Sequence, residues 1–173
     1  MELWDVYDIE KNKLKKVIDR HSNQLLGEGE YHLGVEAIIV NSKKQILISK
    51  RSEFKNKYPF LWECNGGAVK SGETSRQGII RELKEELGLQ FHERNALFYK
   101  CIRDDESKLF KDIWIFKEDV DIGEIRFEDH EVIDVMWVTI DELDSLKEKN
   151  MMVPKFRLNR EEFETILNFI NKK

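Results

Sequence analysis

Three glutamates, Glu82, Glu85 and Glu86, have the residue type and the spacing for metal chemistry. Residues three and four apart share one face of an α-helix, so Glu82 is a neighbour of both other acids. Gly88 favours a helix end just beyond them, which puts them near the negative pole of the helix dipole. This arrangement is unfavourable by itself, because each like-charged pair costs about 0.2–0.5 kcal/mol. A divalent cation that prefers oxygen ligands, such as Mg²⁺, would stabilise it.

Glutamates on helices are usually solvated, so the flanking residues decide between a metal site and an ordinary polar surface. Gly67 permits close approach of another group to the backbone. Thr74 and Gln77 have the spacing of a capping box, which predicts the helix start. A stripe of apolar residues separate from the acids predicts the buried face of the helix; it consists of Ile79, Ile80, Leu83 and Leu87.

The segment from Gly67 to Leu89, GAVKSGETSRQGIIRELKEELGL, resembles the signature box of the Nudix hydrolases. The box has Gly, five residues, Glu, seven residues, Arg-Glu, an aliphatic residue, any residue, Glu-Glu, any residue, Gly and an aliphatic residue. Every specified position is filled here, by Gly67, Glu73, Arg81, Glu82, Leu83, Glu85, Glu86, Gly88 and Leu89.

The resemblance implies an enzyme that binds Mg²⁺ or Mn²⁺ and hydrolyses a diphosphate linkage. The expected substrate is a small molecule, a nucleoside diphosphate derivative or a related organic pyrophosphate. The metal ligands implied by the resemblance are the carboxylates of Glu82, Glu85 and Glu86 and the backbone carbonyl of Gly67. Glu82 is also a candidate to accept the proton of the attacking water. The resemblance also implies a catalytic role for Arg81, whose expected ion pair with Glu73 would orient the glutamates.

Members of this family often recruit a further acid from a loop outside the box. The segment EIRFEDHEV offers Glu128, Asp129 and Glu131, and we favour Glu131 as the catalytic base or additional ligand. Asp112, in a predicted strand, is a weaker candidate because a buried carboxylate without a partner is costly.

Two further residues are candidates for substrate binding. Lysines and arginines crowd residues 43–57, with Glu53 opposing them. This cluster is typical of a solvated hairpin edge, but it could also draw a polyphosphate toward the metal, in which case Arg51 binds the substrate. Trp62 could stack on a base, although aromatic residues beside a strand more often pack in the core.

The apolar patterns predict an α/β (α+β) fold, a Nudix-type α/β/α sandwich with a mixed sheet, an N-terminal β-hairpin extension and a C-terminal helix. Paired runs predict hairpins within residues 3–20 and 34–51, and further strands are expected near residues 60–62, 96–102, 110–116 and 132–138. Helices are expected at residues 141–149 and from Arg160 onward, with Asn159 as the cap.

We divide the chain into a hairpin extension at residues 1–30, a Nudix domain at residues 31–150 with the box at 67–89, and a linker and helix at 151–173. At 173 residues, with 40% hydrophobic and 36% charged content, the composition is that of one globular domain. A net charge of −5 argues against a nucleic-acid partner, and no apolar run is long enough for a membrane partner.

The N-terminus lacks a secretory pattern and the two cysteines lack ligand spacing, so a cytoplasmic location is expected. The sequence leaves open whether the chain forms a homodimer.

Two alternatives remain. The N-terminal hairpin, the Tyr31-His32 pair and Leu61-Trp62-Glu63 resemble isopentenyl-diphosphate isomerases and their hydrolase-like relatives, in which His32 would be a metal ligand. Those isomerases use a cysteine followed by Gly-His, whereas here the Gly-His pair is absent and Cys64 lies two residues early. The second alternative is a non-catalytic Nudix binding module, which usually lacks acids of the box; none is missing here.

Overall fold

The computed structural model describes residues 2–22, 26–127 and 130–172. Its strands, in chain order, are β1 (Leu3–Tyr7), β2 (Lys13–Asp19), β3 (His32–Val40), β4 (Ile46–Arg51), β5 (Trp62–Glu63), β6 (Gly66–Ala68), β7 (Leu97–Asp104), β8 (Leu109–Lys117) and β9 (Val132–Val138). Its α-helices are α1 (Ser75–Leu87), α2 (Ile140–Glu148) and α3 (Arg160–Asn171). Within these ranges, none of the helices has the length and apolar character of a membrane span.

A mixed sheet of seven strands forms the centre of the molecule. Strand β3 lies parallel to β8 on one side and antiparallel to β4 and β6 on the other. The sheet continues from β8 to β7 and from β4 to β5 and β9, all antiparallel. The central strands are rich in β-branched residues and buried on both faces, which is typical of a sheet covered on both sides. The predicted mixed sheet is confirmed.

Helices cover both faces of this sheet. Alternate residues of β3, such as Val35 and Ile39, pack with the apolar stripe of α1, whose Ile79, Leu83 and Leu87 have no exposed surface. The intervening residues pack against α2 and α3, through Leu143, Phe163, Ile166 and Ile170 among others. The resulting α/β/α sandwich is the predicted architecture.

The helix that carries the three glutamates begins and ends as the sequence predicts. Thr74 accepts a hydrogen bond from the backbone N–H of Gln77, and the Gln77 side chain bonds back to the Thr74 backbone. At the other end Gly88 adopts φ 67°, and its N–H bonds the carbonyl of Lys84. Local signals alone define both ends of α1.

Two strands differ from the predictions. The Gly66-Gly67 pair lies in β6, a strand that was not predicted, and pairs with β3 so closely that a Cβ on Gly66 would lie 2.1 Å from the carbonyl oxygen of Val35. Strand β5 begins at Trp62 rather than Phe60, because Phe60 has φ 64°, which strand geometry does not allow.

The N-terminal hairpin, β1 and β2, forms a separate two-stranded sheet that docks on the main sheet. Tyr7 and Tyr31 exchange backbone hydrogen bonds of 2.8 and 2.9 Å. The buried carboxylate of Asp5 accepts hydrogen bonds from Ser71 Oγ and the Gly72 N–H, and pairs with Lys13. The hairpin therefore contacts the loop that enters α1. The boundaries drawn at residues 30 and 150 stay predictions.

We predict that Asp5→Ala destabilises the protein by about 1–3 kcal/mol, because Ser71 Oγ and the Gly72 N–H lose their buried acceptor. Chemical denaturation measures the loss, and hydrogen exchange should show faster exchange at residues 71–72. Asp8→Ala is the matched control, because Asp8 accepts hydrogen bonds from the Glu10 and Asn12 N–H groups within the hairpin turn instead of from the loop at residues 71–72. Equal exchange at residues 71–72 in both variants would contradict the role of Asp5.

Candidate active site

A cleft of about 380 Å³ opens where β3, β6 and α1 meet the N-terminal hairpin. Among the residues that the sequence predicted for the site, those lining the cleft are Gly67, Arg81, Glu82, Glu85 and Glu131. Other lining side chains come from the hairpin, from the strands and from the loop before α1; they include Glu2, Trp4, Arg20, His32, Glu36, Glu63, Cys64, Lys70 and Lys111.

Arg81 connects the acids of the box. Its Nε and Nη2 donate to the two carboxylate oxygens of Glu73 at 2.7 and 2.9 Å, and Nη2 also donates to the carbonyl of Ala68. Its Nη1 donates to Glu82 and Glu85 at 2.7 and 2.8 Å. Burial opposes the charge, yet hydrogen bonds and attraction from Glu73 and Glu82 raise the pKa of Arg81. The guanidinium thus relieves the repulsion that the spacing of the acids predicts.

Glu86 does not lie on the solvent-facing side of α1. It is 2% exposed, and its Oε2 accepts hydrogen bonds from Asn65 Nδ2 at 2.8 Å and from the Gly66 N–H at 3.2 Å. Burial raises the pKa of Glu86 to about 8. Asn65 is itself fixed by a hydrogen bond from Ser49 Oγ. The acidic and apolar stripes are therefore not separate, because Glu86 lies beside Leu83 and turns under β6.

Glu82 lies against the backbone of β6. A Cβ added to Gly67 would lie 2.4 Å from the Glu82 carboxyl carbon, so the close approach needs glycine here. Burial raises the pKa of Glu82, and the Arg81 charge opposes that shift. Glu85 is more exposed and pairs with Lys70 at 3.1 Å as well as with Arg81.

The donor set fits a hard divalent cation, since it consists of carboxylate and carbonyl oxygens and includes a buried acid that has no cation bonded to it among the described residues. In the described parts of the chain, however, no three acidic, histidine or cysteine side chains converge into a preformed metal site. Metal binding would require Glu82 and Glu85 to turn away from Arg81. The roles assigned to these residues stay predictions.

Glu131 precedes β9 and reaches the same cleft, where its side chain pairs with Lys55. Its backbone carbonyl accepts a hydrogen bond from the Ser52 N–H. Glu128 and Asp129, the other candidates in that loop, lie outside the described residues. Asp112 is buried and pairs with Lys11 of the hairpin at 2.5 Å, and it is not among the residues that line the cleft.

Arg51 and Trp62 are not brought to the cleft. Arg51 donates to Glu63 at 2.5 Å and to the carbonyl of Lys57, so it positions a lining residue instead of lining the cleft itself. Trp62 is 5% exposed and packs in the core under α3. Their positions give no support to the substrate-binding roles predicted for them. From the basic cluster, Lys55 reaches the cleft.

Sequence reasoning missed the part of the site that the hairpin builds. Trp4 stacks on His32 with ring centroids 4.2 Å apart and an interplanar angle of 9°. Burial lowers the pKa of His32 to about 4, and its Nδ1 is buried with no hydrogen-bond partner in the described parts of the chain. The Trp4–His32 stack forms only when the hairpin docks on the main sheet, so no local sequence pattern predicts it. Lys70 could have been found from the sequence, because it lies inside the box between Gly67 and Glu73.

Cys64 also lines the cleft but is 5% exposed. Burial raises the pKa of its thiol well above the ordinary value, so the thiol stays protonated at neutral pH. This is the environment of a small buried hydrophobic residue.

Residues 30–158 match the NUDIX domain family. The chain belongs to the Nudix family. It is 34% identical over 161 residues to an uncharacterized Nudix hydrolase of Listeria innocua, covering 92% of this chain and 93% of that protein. A Listeria monocytogenes relative is 32% identical over equal coverage. The fold resembles that of DR0079 from Deinococcus radiodurans, with a TM-score of 0.71 and 22% identity over 88% of this chain and 92% of that one.

These relations identify the protein as a Nudix pyrophosphohydrolase, and members of the family generally use divalent metal ions. The further resemblance of the N-terminal region to isopentenyl-diphosphate isomerases stays a prediction.

We predict that His32 contributes to the acid sensitivity of the fold. Its pKa is about 6.5 when unfolded and about 4 when folded, so the unfolded chain binds the proton more readily. Stability from this residue is complete above pH 6.5 and is lost, by on the order of 3 kcal/mol, as the pH falls to about 4. Denaturation of His32→Phe between pH 4 and 7.5 should show a flatter profile than wild type. The exposed His21→Gln control should keep the wild-type slope; equal slopes in both variants would contradict the assignment.

Proposed function

We propose that this protein uses Mg²⁺ or Mn²⁺ to hydrolyse a diphosphate linkage in a nucleoside diphosphate derivative or a related organic pyrophosphate. The observation that carries the proposal is the buried carboxylate of Glu86, held by amide donors beside Glu82 and the glycines of β6. A buried acid with neutral partners is costly, and a cation among these oxygens would offset that cost.

The carboxylates of Glu82, Glu85 and Glu86 and the Gly67 carbonyl would hold the metal. When bound, the cation supplies charge neutralisation at the phosphate oxygens and a water of lowered pKa. Arg81 would stay bonded to Glu73 and to the Ala68 carbonyl, which fixes the start of α1 while the other acids turn.

Two lysines that are paired with acids at the cleft, Lys55 and Lys70, would then face the diphosphate. Lys70 is held by Glu85 and Lys55 by Glu131, so each lysine becomes available when its acid takes up another role. Glu131 is our candidate to accept the proton from the attacking water, with Glu82 as the other. A small-molecule substrate agrees with the size of the cleft. The absence of a nucleic-acid partner, the cytoplasmic location and the oligomeric state stay predictions.

We predict that Glu86→Gln lowers the rate of metal-dependent hydrolysis at least about a hundredfold without loss of stability. The amide oxygen can still accept from Asn65 and the Gly66 N–H, but the side chain can no longer ionise to bind a metal. Phosphate release measures the rate, and thermal melting with and without Mn²⁺ measures binding: the Mn²⁺ shift should vanish in the variant. Glu164→Gln, on the exposed side of α3, should behave as wild type. Full activity of Glu86→Gln would contradict the metal site.

The isomerase alternative is tested at Cys64. We predict that Cys64→Ser keeps hydrolysis within about threefold of wild type, because the protonated, buried thiol takes no part in the reaction. The assay uses nucleoside diphosphate derivatives and prenyl diphosphates in parallel, with analysis of released phosphate and of rearranged prenyl product. Loss of turnover in a folded variant, together with a rearranged product in wild type, would favour the isomerase.

A further inference from the structure

We propose that the N-terminal hairpin builds the subsite for the organic half of the substrate, and that Trp4 and Arg20 bind a nucleobase there. The inference rests on the proposed function and names the part of the molecule that selects the substrate. Trp4, Arg20 and Glu2 line the same cleft as Glu82 and Glu85. All three precede residue 30, where the match to the family begins.

The hairpin is held firmly enough to serve as a wall. Besides the Tyr7–Tyr31 pair, the Ser71 N–H donates to the carbonyl of Leu3 at 2.7 Å. Asp5 bonds the same loop from its side chain. Both contacts flank Trp4 in the chain, so the indole has little freedom to move away from the box. A wall of fixed geometry reduces the entropy lost on ligand binding.

The side chains of this wall form layers. The imidazole of His32 lies flat against the Trp4 indole, and the guanidinium carbon of Arg20 lies 5.7 Å from the indole centroid. Glu2 accepts a hydrogen bond from Trp4 Nε1 at 2.8 Å and two from Arg20 Nη1 at 3.1 Å. The stack therefore presents to the cleft the Arg20 guanidinium and the part of the indole that His32 leaves uncovered, with a carboxylate at their edge.

This chemistry suits a nucleobase better than an isoprenoid chain. A planar base stacks on indole and guanidinium surfaces, while its edge bonds the donors of Arg20 and the acceptor of Glu2. An isoprenoid would cover the Arg20–Glu2 pair without replacing its contacts with water, which is costly. Arg20 is 47% exposed on its side chain and can adjust to a ligand.

The test compares two ligands that share the phosphate part: the α,β-methylene analogues of nucleoside diphosphates, and methylenediphosphonate, which has no nucleoside. Both are titrated in Mg²⁺ by calorimetry, so binding is measured without turnover. In wild type, at least one nucleoside analogue should bind about tenfold or more tightly than methylenediphosphonate. This preference should be lost in Trp4→Ala and retained within about threefold in Trp4→Phe, with methylenediphosphonate binding unchanged throughout.

Arg20→Met provides a second variant that keeps the packing of the hairpin, and it should weaken the nucleoside preference. Lys15→Met, an exposed change on β2, which ends directly before Arg20, should not. If wild type hydrolyses nucleoside diphosphate derivatives but folded Trp4→Ala and Arg20→Met keep the full nucleoside preference, the nucleobase subsite is contradicted while the proposed function stands. Wild type without metal-dependent hydrolysis would overturn the proposed function, and the inference with it. Equal affinity of wild type for both ligand types would also overturn the inference.

Discussion

The hydrogen bonding of one guanidinium governs the arrangement of the site. Arg81 bonds Glu73, Glu82, Glu85 and the Ala68 carbonyl at once, so the acids can stand close together. Its planar array of donors suits this task, whereas a lysine would offer a single point charge. Glu73 anchors the guanidinium at the start of α1 and the other acids lie further along the helix. Arg81 thus offsets the mutual repulsion of the acids and keeps them near one another.

The second constraint is the close approach of backbone and carboxylate. Strand β6 passes between β3 and α1 with no room for side chains at Gly66 or Gly67. This places backbone N–H and carbonyl groups directly against Glu82 and Glu86. Asn65 extends the same line of donors and is positioned by Ser49 from β4. Burial of the two acids is therefore a consequence of sheet pairing, and their raised pKa values follow from it.

Local signals made much of this predictable. The capping residues of α1, the left-handed Gly88 and the apolar stripe depend on neighbours in sequence, and the structure agrees with them. Contacts between distant segments were not predictable: β6 exists through its pairing with β3, and Asp112 finds its cation 101 residues away at Lys11. Trp4 and Trp62 have similar neighbours in sequence, yet Trp4 lines the cleft and Trp62 packs in the core. The position of Trp4 depends on how the hairpin docks, which the sequence does not indicate. The spacing of Glu86 from Leu83 could have indicated its burial.

The docking of the hairpin has a consequence for the order in which the chain acquires its shape during synthesis. A lone two-stranded hairpin is marginally stable in water. Asp5 gains its buried hydrogen bonds only after residues 71–72 have emerged from the ribosome. The hairpin precedes that loop in the chain, so it can dock only after the loop has been made. Until then its exposed strand edges are open to pairing with other nascent chains.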